Sequence, residues 1–480
     1  MPSYNTAQFR KDWVYAIDRD FHSPDGTTPA IYAAGQPTEW GHEHAKIPLP
    51  AEPGAAGLNA DESLLAVALD QNIHIYSVAD RSLSQVLRGH VSRVDALFFH
   101  PRDGGKLVSC AMNHRSGSVI AEPEIVFWDL VEQRKRALLT EETLHALGKR
   151  AVNGVAKELE EAAEPWKMDD DDEAALATDV EKAISALNIK SQARTNTRIH
   201  GRLVGSFGSQ VFNSTGTSLV FLPGNSPNAN GDDKWDISIY DIRTHSVRLT
   251  LSGHRDAIMW VGFSPNDKLL ASVSWDQTFK IWDHDSGHLC HTFRSSGQNW
   301  TGAFSPDSRF FAGTSGQGRL WVWDVTHGLE VATHDASSSP WCRSVDWSPD
   351  GRRLLVGAQG LGRVLEFDLK SQAVAQERVL STAKSPELLQ QMGGPFLEVT
   401  MVKYLDRGRM MALKACGSDD GLEVFDFVGC QKWRFAPARG LDRGWAFGGN
   451  FVVVEGMGMI ASVDADAVRF WKVPFGGRGE

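Results

Sequence analysis

Short apolar runs separated by polar turns recur along most of this chain, and the clearest example runs from Gly253 to Asp283. In that stretch a Gly-His pair leads into an apolar run, Ser-Pro-Asn-Asp interrupts it, a second apolar run follows, and Trp-Asp closes a third. Val, Ile, Phe and Trp are typical of β-strands, while Gly, Pro, Asn and Asp are typical of the turns between strands. The pattern predicts a unit of short strands joined by tight turns.

This unit recurs at a nearly constant interval. Tyr240, Trp282, Trp323 and Phe367 each close a third strand, at successive intervals of 42, 41 and 44 residues. A propeller blade of four strands needs about 40 to 45 residues, so the spacing predicts one blade per unit. Several units also carry an aromatic residue followed by Ser-Pro or His-Pro, which favours a turn after the first strand. The closing aromatic residues are Tyr76, Trp128, Tyr240, Trp282, Trp323, Phe367, Phe425 and Trp471.

These units resemble the repeats of the WD-repeat β-propeller family. The resemblance covers about residues 57–474, less one insertion, and is strongest in the four central units. It implies an all-β chain folded as a WD-type β-propeller. Eight closing aromatic residues predict eight blades, with seven as the alternative if one weak unit is irregular. Most rings of this family are closed by an N-terminal strand, which here implies that residues 45–49 join the unit that ends at Trp471.

One long insertion interrupts the repeats between Trp128 and Tyr240. Residues 141–163 place apolar side chains on one helical face, and the acidic run Asp169 to Asp172 precedes a second helical stretch. We predict a mainly helical, acidic insertion between the second and third blades, on the face with the Gly-His loops. It either packs on the propeller or serves as a partner-binding arm.

The predicted organisation has five parts. Residues 1 to about 27 show no clear period and are expected to be flexible or peripheral, with docking of Trp13, Val14, Tyr15 and Ile17 on the propeller as the alternative. The parts are the N-terminal extension (1–40), the closing strand with blades one and two (41–139), the insertion (140–200), blades three to eight (201–474) and a C-terminal tail (475–480).

The family resemblance assigns a buried hydrogen-bonded network to the most regular unit. Its members are His254, Ser274, Asp276 and Trp282. A buried Asp requires hydrogen-bond donors, which a His ring and backbone N–H groups supply. His, Ser and Asp also occur together in hydrolase triads, but here each occupies a repeat position with a structural role. We therefore predict no catalytic residue among them.

The same resemblance places partner-binding residues at the mouth of the ring on the Gly-His side. They are the residue before the structural Asp and two alternating residues early in each first strand. Trp and Arg are the residues most enriched at binding hot spots. Trp260 points the other way on its strand and is expected in the core. The predicted partner-binding residues are Trp275, Met259, Gln298, Trp300, Trp341 and Arg343, with Ala257, Arg93, Asp95, Glu398 and Thr400 at corresponding positions.

Composition bears on the function more than on the fold. The formal net charge of -11 argues against general binding to nucleic acid or to anionic membranes, both of which require a basic face. Five scattered cysteines without a CxxC pair argue against a disulfide framework or a structural zinc site. No apolar run reaches the length of a membrane span. We expect an intracellular protein, cytoplasmic or nuclear or both, without a metal ion or other cofactor.

The leading hypothesis is a non-catalytic protein-interaction scaffold that presents an aromatic and Arg-lined face to a protein or peptide partner in a multiprotein complex. The insertion at 140–200 is a second candidate contact for a partner. The alternative is a chromatin or ribonucleoprotein assembly subunit that recognises a basic partner, which the net acidity favours. An enzyme built on a propeller is less favoured, because Asp95 and Glu398 are the only acids among the predicted mouth residues.

Overall fold

A computed structural model describes residues 20–23, 26–32, 43–111, 123–131, 197–205, 208–223, 235–336, 341–360, 362–380, 397–416, 421–435, 451–473 and 475. Within these ranges the regular structure is almost wholly β-strand, apart from two short 3-10 helices at Asp406–Gly408 and Glu455–Met457, and we number the strands β1 to β32 along the sequence. We also number the sheets, one to eight, in the order in which the chain forms them. The strands before the first sheet are β1 (Ile31–Tyr32) and β2 (Ala45–Pro48).

Sheets one to four come from successive stretches of the chain. Sheet one contains β3 (Pro53–Leu58), β4 (Leu64–Leu69), β5 (Asn72–Ser77) and β6 (Leu83–Arg88). Sheet two contains β7 (Val94–Phe99), β8 (Lys106–Ala111), β9 (Glu124–Asp129) and β10 (Arg198–His200). Sheet three contains β11 (Ser218–Phe221), β12 (Ile237–Asp241) and β13 (Ser246–Leu251). Sheet four contains β14 (Ile258–Phe263), β15 (Leu269–Ser274), β16 (Thr278–Asp283) and β17 (Leu289–Arg294).

Sheets five to eight continue the series. Sheet five contains β18 (Asn299–Phe304), β19 (Phe310–Ser315), β20 (Arg319–Asp324) and β21 (Leu329–Asp335). Sheet six contains β22 (Cys342–Trp347), β23 (Arg353–Gly360), β24 (Arg363–Asp368) and β25 (Ala373–Val379). Sheet seven contains β26 (Leu397–Leu405), β27 (Met410–Cys416), β28 (Gly421–Asp426) and β29 (Gln431–Phe435). Sheet eight contains β30 (Phe451–Val454), β31 (Met459–Val463), β32 (Ala467–Lys472) and, at its edge, β2.

The burial of each strand follows its place in its sheet. Inner strands such as β15, with the sequence LLASVS, are buried along nearly their whole length because both of their faces are covered by neighbouring sheets. Outer strands such as β17 alternate between buried and exposed positions, since only one face is covered. Sheets six and seven are also joined directly, because Gln359 and Gly360 at the end of β23 pair with Glu398 and Leu397 of β26.

The circuit of sheets closes on itself. Trp260 and Phe279 of sheet four pack with Phe311 and Trp323 of sheet five, and similar clusters lie between the other neighbours. The last cluster joins Met459 and Ala461 of sheet eight to Leu65 and Val67 of sheet one. The all-β, WD-type β-propeller prediction is therefore confirmed. Eight successive sets of strands agree with the larger of the two blade counts, and eight blades in the ring stays a prediction.

The predicted closing strand is confirmed. β2 pairs antiparallel with β32, with Ala45 opposite Phe470 and Pro48 opposite Ala467. It supplies the fourth strand that the last unit of the sequence does not contain. The two ends of the repeat region are thus held by backbone hydrogen bonds as well as by the shared apolar cluster.

The insertion is attached at a different point from the one predicted. Arg198, Ile199 and His200 form β10, which pairs with β9 in sheet two, so the insertion separates the third and fourth strands of that sheet instead of following the fourth. The chain leaves β9 after Asp129, at the end of the sheet opposite the Gly-His loop. The expectation that the insertion begins on the Gly-His face is therefore wrong. Its predicted helices fall within residues 132–196, which lie outside the described ranges.

The N-terminal extension contributes to the core. Phe21 and Ala30 are buried in the apolar cluster between sheets six and seven, and β1 adds a parallel strand to the edge of β29. The sequence favours a peripheral or flexible placement for residues 1 to about 27, with docking around Trp13 as the alternative. A strand of two residues is too short to show a repeating pattern of apolar positions, so the sequence alone does not predict it.

Replacing Ile47 by Ala tests the closing strand. Ile47 is buried in the cluster shared by sheets eight and one, so its truncation is expected to lower the free energy of unfolding by about 3 kcal/mol. Its neighbour Lys46 is exposed, and Lys46→Ala should change this free energy by less than about 0.5 kcal/mol. Urea denaturation of both variants measures the difference, and equal effects would contradict the pairing.

Candidate functional site

The buried network of sheet four uses Ser272 where the sequence predicted Ser274. His254 donates from Nδ1 to Asp276 Oδ2 at 2.8 Å, and its Nε2 lies 2.7 Å from Ser272 Oγ. The indole nitrogen of Trp282 donates to the same hydroxyl at 2.9 Å. Ser272 therefore links the His to the closing Trp.

The strand register explains why Ser272, and not Ser274, binds Trp282. Trp282 lies opposite Leu270, so Ser272 is its diagonal neighbour, within reach of a large side chain, and Ser274 is two residues further away. Ser274 instead fixes the turn: its hydroxyl donates to the backbone oxygen of Asp256 at 2.9 Å and accepts from the backbone N–H of Asp276 at 3.1 Å. Both serines are structural, but they belong to different parts of the network.

The same serine position is used in two other sheets. Trp128 donates to Ser109 at 2.7 Å and Trp471 donates to Ser462 at 3.0 Å. Each serine is the fourth residue of the second strand in its sheet, as Ser272 is. In sheet two His90 completes the arrangement, 2.6 Å from Ser109. The recurrence of Ser at the fourth strand position is the signal in the sequence that identifies this residue.

Burial sets the charge state of the His–Asp pair. Burial lowers the pKa of His254 below its ordinary value, although Asp276 opposes this shift. Burial alone would raise the pKa of Asp276, but hydrogen bonds from His254, Thr278 and the Arg255 backbone lower it far below its usual range. A neutral His254 beside an ionised Asp276 accounts for the geometry, with Nδ1 as donor and Nε2 as acceptor for the Ser272 hydroxyl.

Acid should therefore destabilise this network. Between an unfolded-state pKa of about 6.5 and its lower folded-state value, His254 binds a proton in the unfolded chain but not in the folded one, so stability falls as the pH drops. Asp276 adds a second loss below about pH 4, where the unfolded carboxylate takes up a proton. The free energy of unfolding, measured between about pH 7.5 and about pH 5.5, should decrease toward acid.

The variant His254→Gln isolates this contribution. It is expected to be less stable at neutral pH and to lose less stability on acidification, by at most about 1.4 kcal/mol per pH unit relative to wild type. His288 is exposed, and His288→Gln should keep the wild-type pH dependence. A His254→Gln protein with the full wild-type dependence would rule out His254 as a source of acid sensitivity.

Three tryptophans and an arginine from sheets four to six form one continuous row at the Gly-His end. The Trp275 and Trp300 rings are 5.4 Å apart, and the Trp300 and Trp341 rings are 5.7 Å apart, all between centroids. The Arg343 guanidinium lies 4.4 Å from the Trp300 ring and 4.9 Å from the Trp341 ring. We call these four residues, with Glu398, the aromatic row.

A β-bulge early in the first strand positions Trp300 and Arg343 of this row. In each of six sheets one residue of that strand has no partner on the second strand, and the strand twists at that point. Such an unpaired residue is re-aimed relative to the regular alternation, so equivalent side chains emerge at the same end of successive sheets. The bulged residues are Gly54, Asp95, Met259, Trp300, Arg343 and Thr400.

The sequence-predicted site residues differ in exposure. Trp275, Trp341 and Arg343 are half-buried, whereas Trp300 is only 6% exposed and supports its neighbours from below. Gln298 is exposed and Met259 is half-buried, at the positions of their sheets that correspond to Trp341 and Trp300. Trp260 is buried between sheets four and five, as predicted. Trp300 therefore packs beneath the other rings, and its role in partner binding stays a prediction, while the clustering of the three tryptophans is observed.

An ion pair anchors the row to sheet seven. Arg343 Nη1 lies 3.0 Å from Glu398 Oε1 and 3.3 Å from Oε2. Burial raises the pKa of Glu398, and Arg343 opposes that rise. At the other end of the row the buried indole nitrogen of Trp275 has no hydrogen-bond partner. The row thus combines a fixed guanidinium, two half-buried indole faces and one unused N–H donor.

Other kinds of site receive no support from the described ranges. No group of three or more His, Cys, Asp or Glu side chains there is arranged to hold a metal ion. The same ranges hold no helix of the length and apolar character needed to cross a membrane.

Comparison with known proteins agrees with the architecture. Residues 245–283 match the family model described as WD domain, G-beta repeat. Periodic tryptophan protein 2 of Arabidopsis thaliana is 34% identical over 102 residues, which are 21% of this chain and 11% of that protein. Eukaryotic translation initiation factor 3 subunit I of Pyricularia oryzae is 29% identical over 134 residues, 27% of this chain and 39% of the relative.

A third relative extends the match. WD repeat-containing protein 89 homolog of Dictyostelium discoideum is 29% identical over 194 residues, 40% of this chain and 50% of the relative. The matched stretches thus span from about one tenth to one half of the length of these relatives. The unit at residues 245–283 matches a WD repeat, in agreement with the resemblance that the sequence predicted.

Proposed function

We propose that this WD-repeat β-propeller protein is a non-catalytic interaction scaffold that holds a protein or peptide partner against the aromatic row. The observation that carries the proposal is the contact of Trp275, Trp300, Arg343 and Trp341 in one row built from three consecutive sheets. Tryptophan and arginine dominate the energetics of binding surfaces because they bury a large area and retain a polar group.

The row is held in place before any partner binds. Trp300 is packed beneath its neighbours, and Glu398 fixes the guanidinium of Arg343. A surface with little freedom left to lose binds a partner at a smaller entropic cost than a flexible one. The half-buried faces of Trp275 and Trp341 would contact the partner.

The relatives support a role within a complex. One of them is by its name a subunit of a translation initiation factor, and another is by its name a WD repeat-containing protein. A propeller mouth whose side chains are held in place is suited to joining other proteins. We therefore place the chain in a multiprotein complex, with the aromatic row as the primary contact.

Replacing Trp275 and Trp341 together by Ala tests the proposal. Both rings are half-buried, so the double variant should fold, whereas Trp300→Ala would also remove a buried ring. Each truncation should weaken partner binding at least about thirtyfold if the residue is a hot spot. The measurement is quantitative co-purification from cells of the source organism, followed by binding curves with each protein recovered.

Trp321→Ala is the matched control. Trp321 is half-buried on β20 of sheet five and has Arg319 5.6 Å from its ring, so it repeats the residue types of the row at a different place. Partners that bind the aromatic row should be lost from the double variant and kept by Trp321→Ala. An identical set of bound proteins for wild type and the double variant would refute the proposal.

A further inference from the structure

Residues 20–23 and 26–32 pair with each other as a small hairpin, which fills a groove between the outer strands of sheets six and seven. Ala30 donates its backbone N–H to Phe21 at 2.7 Å, and Ser23 donates to Thr28 at 2.7 Å. The hairpin then joins sheet seven, since Ile31 and Tyr32 pair in parallel with Gln431 and Lys432. Residues 24–25 lie outside the described ranges.

Sheet six binds the backbone of the hairpin through one side chain. Gln376 on β25 accepts from the N–H of His22 at 2.8 Å and donates to the carbonyl oxygen of the same residue at 2.9 Å. A side-chain amide that satisfies both groups of one residue recognises extended backbone whatever the side chain attached to it. This contact therefore fixes position and leaves the choice of sequence to the neighbouring residues.

The groove also binds the carboxylate of Asp20, which lies two residues before His22. Asp20 is 1% exposed, with its Oδ1 2.6 Å from Arg378 Nη1 and its Oδ2 in contact with Lys432 Nζ. Burial alone would raise the pKa of Asp20, but Arg378 and Lys432 lower it below its ordinary value. The carboxylate is thus held ionised where no solvent reaches it.

The walls of the groove carry the cationic side chains that contact this carboxylate. Arg378 binds Glu423 through Nε at 2.7 Å and Nη2 at 2.8 Å, and Arg434 lies 3.6 Å from the same carboxylate. Glu423 of the propeller therefore binds Arg378 and lies near Arg434, while Asp20 of the hairpin contacts Arg378 and Lys432. An occupant with a carboxylate at the place of Asp20 keeps this buried counter-ion, whose removal is strongly disfavoured.

An aromatic ring is recognised next to the carboxylate. Phe21 stacks on Phe425, with centroids 4.5 Å apart and planes 13° apart, and is 1% exposed. Beyond it the Tyr32 ring lies 4.3 Å from Lys432 Nζ. The groove thus combines a cationic subsite and an aromatic subsite that fit consecutive residues of one segment.

The ring of sheets does not depend on the hairpin for its closure. β2 completes sheet eight, and the shared core of sheets eight and one is built without residues 20–32. The hairpin therefore occupies the groove in the way that a ligand occupies its binding site.

We propose that the groove between sheets six and seven is a recognition site for an extended segment in which an acidic residue is followed by an aromatic one. The hairpin at residues 20–32 is its resident and exchangeable occupant. A partner that carries the same acidic–aromatic pair competes with it for Arg378, Lys432 and Phe425.

The test uses the full chain with a protease recognition sequence inserted between residues 36 and 37. After folding and cleavage, the N-terminal fragment should co-elute with the propeller, although no covalent bond joins them. A fluorescent peptide of residues 17–34 should then displace the fragment, giving a saturable rise in anisotropy. Loss of the fragment without rebinding of the peptide, or retention of the fragment without exchange into excess peptide over days, would overturn the proposal.

Variant peptides test the chemistry without altering the protein. Asp20→Asn keeps the shape and removes the charge, and should weaken binding on the order of a hundredfold. Phe21→Ala should weaken binding by a similar factor through loss of the stacked ring. Thr27 is exposed, so Thr27→Ala should bind within about twofold of the parent peptide. An Asp20→Asn peptide as strong as its parent would show that the groove does not recognise a carboxylate.

Discussion

The antiparallel pairing of β2 with β32 is the contact on which the rest of the architecture depends. Inner strands such as β15 are buried on both faces, so each sheet needs a neighbour on either side. A linear series of such sheets would leave one apolar face uncovered at each end. Here the last sheet takes its fourth strand from the start of the repeat region, and Leu65 of sheet one packs with Met459 of sheet eight. The alignment of equivalent positions at the mouth follows from this closure.

Closure of the ring brings equivalent positions of the sheets together around the mouth. The residues at these positions differ, so large side chains collect on one side of the mouth. The same bulge aims one side chain of the first strand toward the Gly-His end in six sheets. Sheets five and six place Trp300 and Arg343 there, whereas sheets one and seven place Gly54 and Thr400. Because large side chains occupy neighbouring sheets, their rings touch and form a surface. The same residues distributed around the ring would remain separate.

The sequence predicts the strand units that repeat along the chain, but it does not predict contacts between residues that are far apart in it. Closing aromatic residues at intervals of about 42 residues identify the blades, and the resemblance to known rings identifies β2. β10 was assigned to the insertion because its three residues follow a long interruption, and only their pairing with β9 reveals a strand. Asp20 is bound by Arg378 and Lys432, more than 350 residues away, which no local pattern encodes. Ser272 and Ser274 share one face of β15, so the choice between them requires the position of the Trp282 ring.

Two kinds of polar contact hold different parts of the ring. Sheets two, four and eight use a Ser at the fourth position of the second strand to bind the closing Trp within the sheet. Sheets six and seven carry Val356 and Leu413 at that position, and ion pairs cross between sheets instead. These pairs are Arg343–Glu398, Arg378–Glu423 and Lys414–Asp464.

A buried ion pair requires each partner to be matched, so it constrains which sheets can be adjacent more than apolar packing does. It also leaves a site where an additional carboxylate can enter, as Asp20 does beside Arg378. The region held by ion pairs contains both the anchored end of the aromatic row and the groove filled by the hairpin. Both surfaces use an arginine that is already paired with a glutamate of sheet seven, which makes that sheet the common wall of the two sites.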